Sequence, residues 1–210
     1  MYVNDKMTKD VVVVDPYQTI SEVLDLMNNH KIHRVPVIDG EKLVGLITEG
    51  VVLKNTPSNA STLSMHEMNY LLSKTKIKDI MIKNVITISP DALLEEAADC
   101  MEKNDIGCLP VVDESKHLLG ILTTNDILKS FAQLSGYYQL GTRVVVEFEK
   151  DEPGLLSKLT KVFHEAGINL THLTAQKNGT TQIVIRCDET DKECVRDLLT
   201  KNGFNVVSLL

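Results

Sequence analysis

An internal duplication constrains the fold of this chain more than any other feature. When the sequence is shifted by 74 residues, the segment from Val11 to Asp39 aligns with the segment from Val85 to Asp113. One extra residue in the second copy raises the offset to 75, and GLITEGVVLK then aligns with GILTTNDILK. Turns, aliphatic runs and a threonine coincide in order, which indicates a true repeat rather than chance. The duplication therefore predicts two units built on one plan.

Both copies predict the same order of elements. A short aliphatic run, 11–14 in one copy and 85–88 in the other, predicts a strand. The Xaa-Pro pair that follows each run predicts the start of a helix, because proline suits the first helical turn. A pair of aliphatic strands comes next, joined by a polar turn, and a second helix follows the threonine. The predicted fold class of the duplicated part is mixed α/β.

The last third of the chain follows a different plan. RVVVEFE alternates like a half-buried strand, and DEPGLLSKLTKVFHEAG has the apolar spacing and final glycine of a helix. Two further strands are joined by Lys177, Asn178 and Gly179, a hairpin turn with the Asn-Gly signal. A helix ending at Gly203 and a final strand complete the order β-α-β-β-α-β, the split βαβ plan.

Composition argues against several classes of function. A formal net charge of -7 and only 4% aromatic residues, without a lysine or arginine cluster, are unfavourable for binding nucleic acid or a membrane surface. No apolar run approaches the ~20 residues of a membrane helix, and the N-terminus lacks a signal-peptide pattern. The four scattered cysteines argue against zinc and disulfides and favour a cytoplasmic location. No common catalytic motif is present, so we expect neither an enzyme nor a metal or cofactor.

The duplicated motif, a Pro-Val-aliphatic-Asp phrase followed by Gly-x-x-Thr-x-x-Asp, resembles a tandem pair of CBS domains. DEPGLL, AGIN and the β-α-β-β-α-β order make the last segment similar to an ACT domain, a ferredoxin-like fold. Together they resemble the AcuB family of acetoin-utilisation proteins. The resemblance implies CBS units at 5–60 and 77–134, a linker helix at 61–76 and an ACT domain at 142–210.

Thr123 and Asp126 form the pattern that bears most directly on function. Thr-x-x-Asp before an apolar run is a helix-capping box, which is one interpretation of these residues. The resemblance to CBS domains implies another, in which the aspartate binds a ribose diol and the threonine lies near a phosphate. It implies a nucleotide cleft lined by residues of both copies: Met7, Asp10, Val12, Ile32, His33, Ile121, Thr123 and Asp126.

A mirror-image cleft would lack the carboxylate, because Val51 stands where the second copy has Asp126. Gly50 would also weaken the start of its helix. We therefore expect this second cleft to be empty or weak, with one nucleotide bound per chain. By the same resemblance, its lining residues would be Leu46, Thr48, Met81, Asn84, Ile86, Ile106 and Gly107.

ACT domains often bind an amino-acid effector near the end of their first strand, which implies a site at Asp151, Gly154 and Asn169. Alternatively, Asp151 and its neighbours only start a helix, and the ACT unit only dimerises. The function predicted from these resemblances is a non-catalytic, cytoplasmic, homodimeric sensor that binds an adenine nucleotide and acts on an unidentified protein partner. The alternative is an amino-acid-sensing ACT protein in which the CBS pair serves as a dimerisation scaffold.

Overall fold

A computed structural model describes residues 1–56 and 64–210. Its contacts divide the chain into two units, Met1–Ile127 and Leu128–Leu210. Part of the predicted linker helix, 61–63, lies outside the described residues. None of the helices in the described ranges is long and apolar enough to cross a membrane.

Each sequence copy comprises two helices and a two-stranded antiparallel sheet. The first copy comprises α1 (Ile20–His30), β1 (Arg34–Asp39), β2 (Lys42–Thr48) and α2 (Glu49–Asn55). Two helices connect the copies, α3 (Met65–Lys74) and α4 (Ile77–Ile80). The second copy comprises α5 (Leu94–Lys103), β3 (Cys108–Val112), β4 (Leu118–Thr123) and α6 (Thr124–Leu134). The predicted mixed α/β plan and its repetition are both present.

The aliphatic runs at 11–14 and 85–88 do not form regular strands, so that prediction was wrong. Each run contributes a single parallel bridge, Val14 with Val37 and Ile88 with Val111. Each bridging residue is followed immediately by an Xaa-Pro turn that carries the chain away from the sheet, which ends the pairing after one residue.

The first helix of each copy begins four residues later than the Xaa-Pro pair predicts. In the first copy, the carboxylate of Glu22 accepts hydrogen bonds from the Thr19 backbone N–H at 2.6 Å and the Thr19 hydroxyl at 2.8 Å. The Glu22 N–H donates back to the Thr19 hydroxyl at 3.3 Å, which completes a capping box. This reciprocal cap fixes the helix start at Ile20 because it satisfies N–H groups that otherwise have no helical partner.

The capping carboxylate of Glu22 makes the stability of the fold depend on pH. Hydrogen bonds from the Thr19 backbone and hydroxyl hold the pKa of Glu22 below its ordinary value of 4.5. A carboxyl group whose pKa is lowered by folding stabilises the folded state above that ordinary value, and this contribution disappears as the pH falls through the folded pKa. We therefore expect the thermal midpoint of the wild-type chain to fall more steeply below pH 4.5 than that of Glu22→Gln. Parallel midpoint curves for the two proteins would contradict this.

Each copy has its own apolar core, closed by a segment that precedes the other copy in sequence. Ile77 of α4 is fully buried in the first core, and its N–H donates to the Gln18 carbonyl at 2.9 Å. Val3, near the N-terminus, is fully buried in the second core, and its N–H donates to the Ala92 carbonyl at 2.9 Å. This reciprocal exchange holds the two copies together as one unit.

The second unit contains a four-stranded antiparallel sheet and two helices. Its elements are β5 (Thr142–Phe148), α7 (Leu155–Glu165), β6 (Leu170–Asn178), β7 (Thr180–Cys187), α8 (Lys192–Lys201) and β8 (Asn205–Leu209). The sheet order is β6-β7-β5-β8, so the predicted β-α-β-β-α-β order is confirmed. Gly179 has φ +80° at the β6–β7 turn, as the Asn-Gly signal predicts.

The second unit starts within α6, earlier than residue 142. Ser135, just after this helix, accepts a hydrogen bond through its carbonyl oxygen from the Arg186 Nε of β7 at 2.9 Å. The next residue, Gly136, packs so closely on His172 and Arg186 that a Cβ there would overlap both side chains. These contacts explain why the chain from Leu128 onward belongs to the second unit.

Candidate ligand-binding clefts

Two backbone crossings build the candidate clefts in the first unit. Thr8 exchanges two hydrogen bonds with Ile121 of β4, at 2.9 and 3.0 Å. At the equivalent place in the other copy, Ile82 exchanges two hydrogen bonds with Leu46 of β2, at 2.9 and 3.0 Å. In each crossing, the segment before one copy lies against the second strand of the other, so each cleft is shared between the copies.

A glycine permits each crossing. A Cβ at Gly120 would lie 2.6 Å from the Met7 sulfur and 2.8 Å from the Thr8 carbonyl oxygen. At the equivalent position, a Cβ at Gly45 would overlap Met81. The two predicted cleft residues Met7 and Met81 therefore lie directly over glycines. Gly120 cannot be replaced without moving backbone, whereas at Gly45 the closest backbone atom, the Ile82 carbonyl oxygen, would lie 3.2 Å from a Cβ.

A cavity of about 580 Å³ lies at the cleft predicted to be weak. Six of the seven residues predicted there line it: Leu46, Thr48, Asn84, Ile86, Ile106 and Gly107. The seventh, Met81, lies beside it over Gly45. The remaining lining residues are His33, Arg34, Glu49, Gly50, Ile82, Val85, Asp105 and Cys108. The predicted residues are thus brought together, in a cavity large enough for a small-molecule ligand.

His33 lines this second cleft, and its predicted place opposite Thr123 and Asp126 stays a prediction. Its Nδ1 atom lies 2.9 Å from the Glu49 carboxylate at the start of α2. The Glu49 backbone N–H donates to the His33 carbonyl oxygen at 3.0 Å. The Nδ1 contact places the imidazole beside α2 of its own copy. The backbone hydrogen bond continues the β1–β2 sheet, in which Arg34 pairs with Thr48.

Thr123 and Asp126 form a complete capping box at the start of α6. One Asp126 carboxylate oxygen accepts from the Thr123 backbone N–H at 2.8 Å and from its hydroxyl at 2.7 Å. The Asp126 N–H donates to the Thr123 hydroxyl at 3.4 Å. The capping interpretation is therefore confirmed, and diol binding by the same carboxylate stays a prediction.

The other residues predicted for the first cleft differ in their surroundings. Ile121 is 8% exposed and belongs to a small apolar cluster with Leu46 and Cys108. Ile32 packs against the core of the first copy. Val12 is half-buried and Asp10 is exposed.

Val51 has a structural reason to be aliphatic. Its side chain packs against the core of the first copy and does not line the cavity. Its backbone N–H donates to the Thr48 hydroxyl at 3.2 Å, so the threonine caps α2 without help from an acidic side chain. The carboxylate nearest this helix start is instead Glu49, which is paired with His33.

Gly50 offers a direct test of the helix start in the second cleft. It is an exposed helical glycine, and a Cβ there would come no closer than 3.8 Å to another atom, the Thr48 hydroxyl oxygen. Because alanine loses less backbone entropy than glycine, we expect Gly50→Ala to raise the free energy of unfolding by up to ~1 kcal/mol. Chemical denaturation measures the change, and a lower stability would show that the site is crowded.

Arg34 and Cys108 are cavity residues that sequence reasoning missed, although they occupy the same position in the two copies. Burial raises the pKa of the Cys108 thiol, and the nearby Arg34 cation partly opposes that rise. Cys108 is only 4% exposed, which argues for a structural rather than a nucleophilic role. The exchange of a cation for a small apolar group between the copies was the available sequence signal.

The residues predicted for an amino-acid site are not joined to one another by any described hydrogen bond or ion pair. Asp151 forms an ion pair with Lys177 on the surface. Gly154 has φ +91° and precedes α7. The Asn169 backbone exchanges hydrogen bonds with Asp188, at 3.0 and 3.1 Å. Among residues 1–56 and 64–210, no cluster of three or more His, Cys, Asp or Glu side chains is arranged to hold a metal ion.

Comparison with known proteins agrees with the duplicated geometry. The CBS domain family model matches residues 3–56 and 77–133. The uncharacterized protein MJ1225 of Methanocaldococcus jannaschii is 35% identical over 131 residues, which cover 62% of this chain and 47% of MJ1225. Its crystal structure superposes with a TM-score of 0.57. An inosine-5'-monophosphate dehydrogenase of the same organism is 35% identical, over 60% of this chain and 23% of the enzyme. The chain therefore spans less than half the length of these curated relatives.

Solved structures similar to the first unit include complexes with adenosine compounds. The CBS domain pair of protein MJ0100, in complex with 5'-methylthioadenosine and S-adenosyl-L-methionine, is 30% identical with a TM-score of 0.54, covering 63% of this chain and 97% of that pair. CBSX2 in complex with AMP is 30% identical with a TM-score of 0.52, covering 63% and 96%.

The predicted likeness to AcuB has a structural counterpart. A Vibrio cholerae protein assigned to acetoin utilization, AcuB, is 29% identical with a TM-score of 0.55, over 66% of this chain and 95% of that protein. The matched family model covers both copies of the duplication, and the two copies pack as one unit with clefts at their crossings. The chain therefore belongs to the CBS domain family, and it carries these domains as a tandem pair.

Proposed function

We propose that this chain is a non-catalytic regulatory sensor whose CBS pair binds an adenosine compound. The observation that carries the proposal is the cavity of about 580 Å³ between the two copies. Similar CBS pairs are complexed with 5'-methylthioadenosine, S-adenosyl-L-methionine or AMP, so one chemical class accounts for all three ligands.

The cavity has the chemical character that an adenine ring requires. Leu46, Ile86 and Ile106 offer apolar surfaces on which a flat base can pack. The Asn84 side chain can both donate and accept hydrogen bonds, as the edge of an adenine does. Such a mixture of apolar walls and a few polar groups is typical of small-molecule sites.

Asp126 is the residue that we propose for the ribose in the first cleft. An ionised carboxylate can accept hydrogen bonds from both hydroxyls of a diol. Asp126 already accepts from the Thr123 N–H and hydroxyl through one oxygen, and a diol that bound to this same oxygen would compete with the cap. That competition gives the ligand a means to alter the start of α6.

We also propose that the C-terminal unit is an ACT domain and that the protein is a cytoplasmic homodimer. The β-α-β-β-α-β order and the sheet order β6-β7-β5-β8 support the ACT assignment. An amino-acid effector at Asp151 has less support, because its carboxylate is ion-paired with Lys177. In this proposal, ligand binding to the CBS pair would change either the C-terminal unit or the way in which that unit binds a partner protein.

Thermal unfolding with 5'-methylthioadenosine tests the proposed function. A ligand at 100 times its Kd stabilises the folded chain by about 2.7 kcal/mol, which raises the thermal midpoint. We expect this stabilisation in the wild-type chain and a smaller stabilisation in Asp126→Ala, which loses the proposed ribose contact of the first cleft. The matched control is Glu67→Ala, which breaks the similar Ser64–Glu67 capping box outside the clefts. Both substitutions should lower stability by ~1 kcal/mol, but only the first should reduce the ligand effect. A full ligand effect in Asp126→Ala would contradict the assignment.

A further inference from the structure

We infer that the first unit has a further ligand site, separate from the two clefts, which binds an amino acid with an aliphatic side chain. The site is a cavity of about 370 Å³ beside the turn between β1 and β2. Lys9, Glu41 and His117 line it together with four apolar side chains. This inference does not depend on the proposed binding of an adenosine compound.

The cavity lies at the opposite end of the strands from the clefts. β4 begins at Leu118, which lines the cavity, and ends at Thr123, in the predicted first cleft. In the same way, Glu41 lies just before β2, whose last residue, Thr48, lines the second cleft. At a rise of about 3.3 Å per residue, Leu118 and Thr123 are separated by roughly 16 Å. A ligand in this cavity would therefore not occupy either cleft.

Two opposite charges line the cavity without pairing with each other. In the part of the chain that the structure describes, the ion pairs include none with the Lys9 ammonium, and Glu41 forms one only with His117, at 3.9 Å. The Glu41 side chain is 89% exposed, so this long contact leaves its carboxylate open to another donor. A ligand that carries both charges can form charge-assisted hydrogen bonds with Lys9 and Glu41.

The His117 imidazole has a fixed orientation at the edge of this cavity. Its Nδ1 atom lies 2.9 Å from the Asp113 carboxylate, which also accepts a hydrogen bond from the His117 backbone N–H at 2.8 Å. Its other ring nitrogen, Nε2, is the atom that faces Glu41. Asp113 thus already holds His117, and Lys9 is the lining cation that is left for a ligand carboxylate.

The apolar side chains indicate what the rest of the ligand should be. Val11, Val13, Ile38 and Leu118 are half-buried where they line the cavity. An aliphatic group placed on them would remove apolar surface from water, which favours binding. Apolar walls with a few polar groups are typical of small-molecule sites. An aliphatic α-amino acid combines the carboxylate, the ammonium and the apolar body that this lining can contact.

The second copy provides an internal comparison for this site. The equivalent cavity has a volume of only about 90 Å³ and is lined by Lys83 and Lys116. Lys83 is the counterpart of Lys9, but Lys116 stands at the position of Glu41. A smaller space with two cations does not suit a ligand that carries both charges. We therefore expect one amino-acid site per chain, in the first of the two cavities.

Isothermal titration calorimetry of the full chain with L-leucine tests the inference. We expect Lys9→Gln and Glu41→Gln each to weaken L-leucine binding on the order of tenfold or more, because each removes a charged hydrogen-bond partner. Both side chains are exposed, so the variants should keep the fold. The compounds 4-methylpentanoate and 3-methylbutylamine lack the ammonium and the carboxylate of leucine, respectively, and each should bind more weakly by a similar factor.

Two control variants should leave the affinity for L-leucine unchanged: Lys83→Gln, at the equivalent position of the second copy, and Asp151→Asn, in the C-terminal unit. The inference is overturned if the wild-type chain does not bind L-leucine, if both truncated compounds bind as tightly, or if Lys9→Gln and Glu41→Gln keep full affinity. Loss of binding in either control would also overturn it, because the amino acid would then lie elsewhere or respond to general charge. Titration with 5'-methylthioadenosine tests the sensor function separately, so either proposal can fail without the other.

Discussion

Gly120→Val is expected to destabilise the CBS pair by about 3 kcal/mol and to abolish ligand binding, because overpacking at this site cannot be relieved by side-chain movement alone. A Cβ at this position would lie 2.8 Å from the Thr8 carbonyl oxygen, which is part of the backbone. Relief would require separating Thr8 from Ile121 and breaking the two hydrogen bonds that join the copies. Since both clefts lie at such crossings, we expect the adenosine compounds to lose affinity together with the loss of stability.

The matched control for this prediction is Gly50→Val. The same side chain is added there at an exposed helix position whose nearest atom is 3.8 Å from the new Cβ. Chemical denaturation of both variants measures the difference in stability, and calorimetric titration of Gly120→Val measures its loss of ligand binding. Equal stability of Gly120→Val and Gly50→Val would show that the crossing at Thr8 does not hold the copies together.

Phe163→Ala is expected to destabilise the C-terminal unit by about 3–5 kcal/mol, the usual cost of removing a buried aromatic ring. Phe163 is fully buried on α7, in a core with Val144, Ile183 and Leu199. The surrounding strands and helix cannot close the cavity without losing their own packing.

Phe131→Ala provides the matched comparison, because Phe131 is 70% exposed. The same atoms are removed there from a site in contact with water, so we expect a change within about 0.5 kcal/mol. Denaturation followed by circular dichroism reports both values. A similar small effect for the two variants would contradict the assignment of Phe163 to a packed core.

The repeat and the split βαβ plan could be predicted because they depend on local patterns. Turn residues such as Gly179, with its positive φ, and aliphatic alternation act within a few residues of one another. The runs at 11–14 and 85–88 could not be assigned correctly, because an aliphatic run does not show how many of its residues will pair with a neighbouring strand. The proline after each run ended the pairing at a single bridge.

The sequence predicts which residues form the candidate site better than it predicts how their side chains are arranged. Six residues of the second cleft come together as the duplication implies. The positions of His33 and Arg34 depend on which acid or glycine lies opposite, and those neighbours are distant in sequence. The exchange of Asp126 for Val51 suggested that the second cleft is weak. Val51 packs against the core of the first copy and a cavity bordered by Arg34 lies at this cleft, and weak binding there stays a prediction.

Hydrogen–deuterium exchange of the full chain, with and without a saturating adenosine compound, tests the central claim most directly. The method shows which backbone amides exchange more slowly when the ligand is bound, because exchange requires local opening of the structure. We predict slower exchange in the segments that form the clefts: 45–51, 82–86, 105–108 and 120–126. Protection confined to the C-terminal unit, or no protection at all, would contradict the proposal that the CBS pair is the ligand-binding part of this protein.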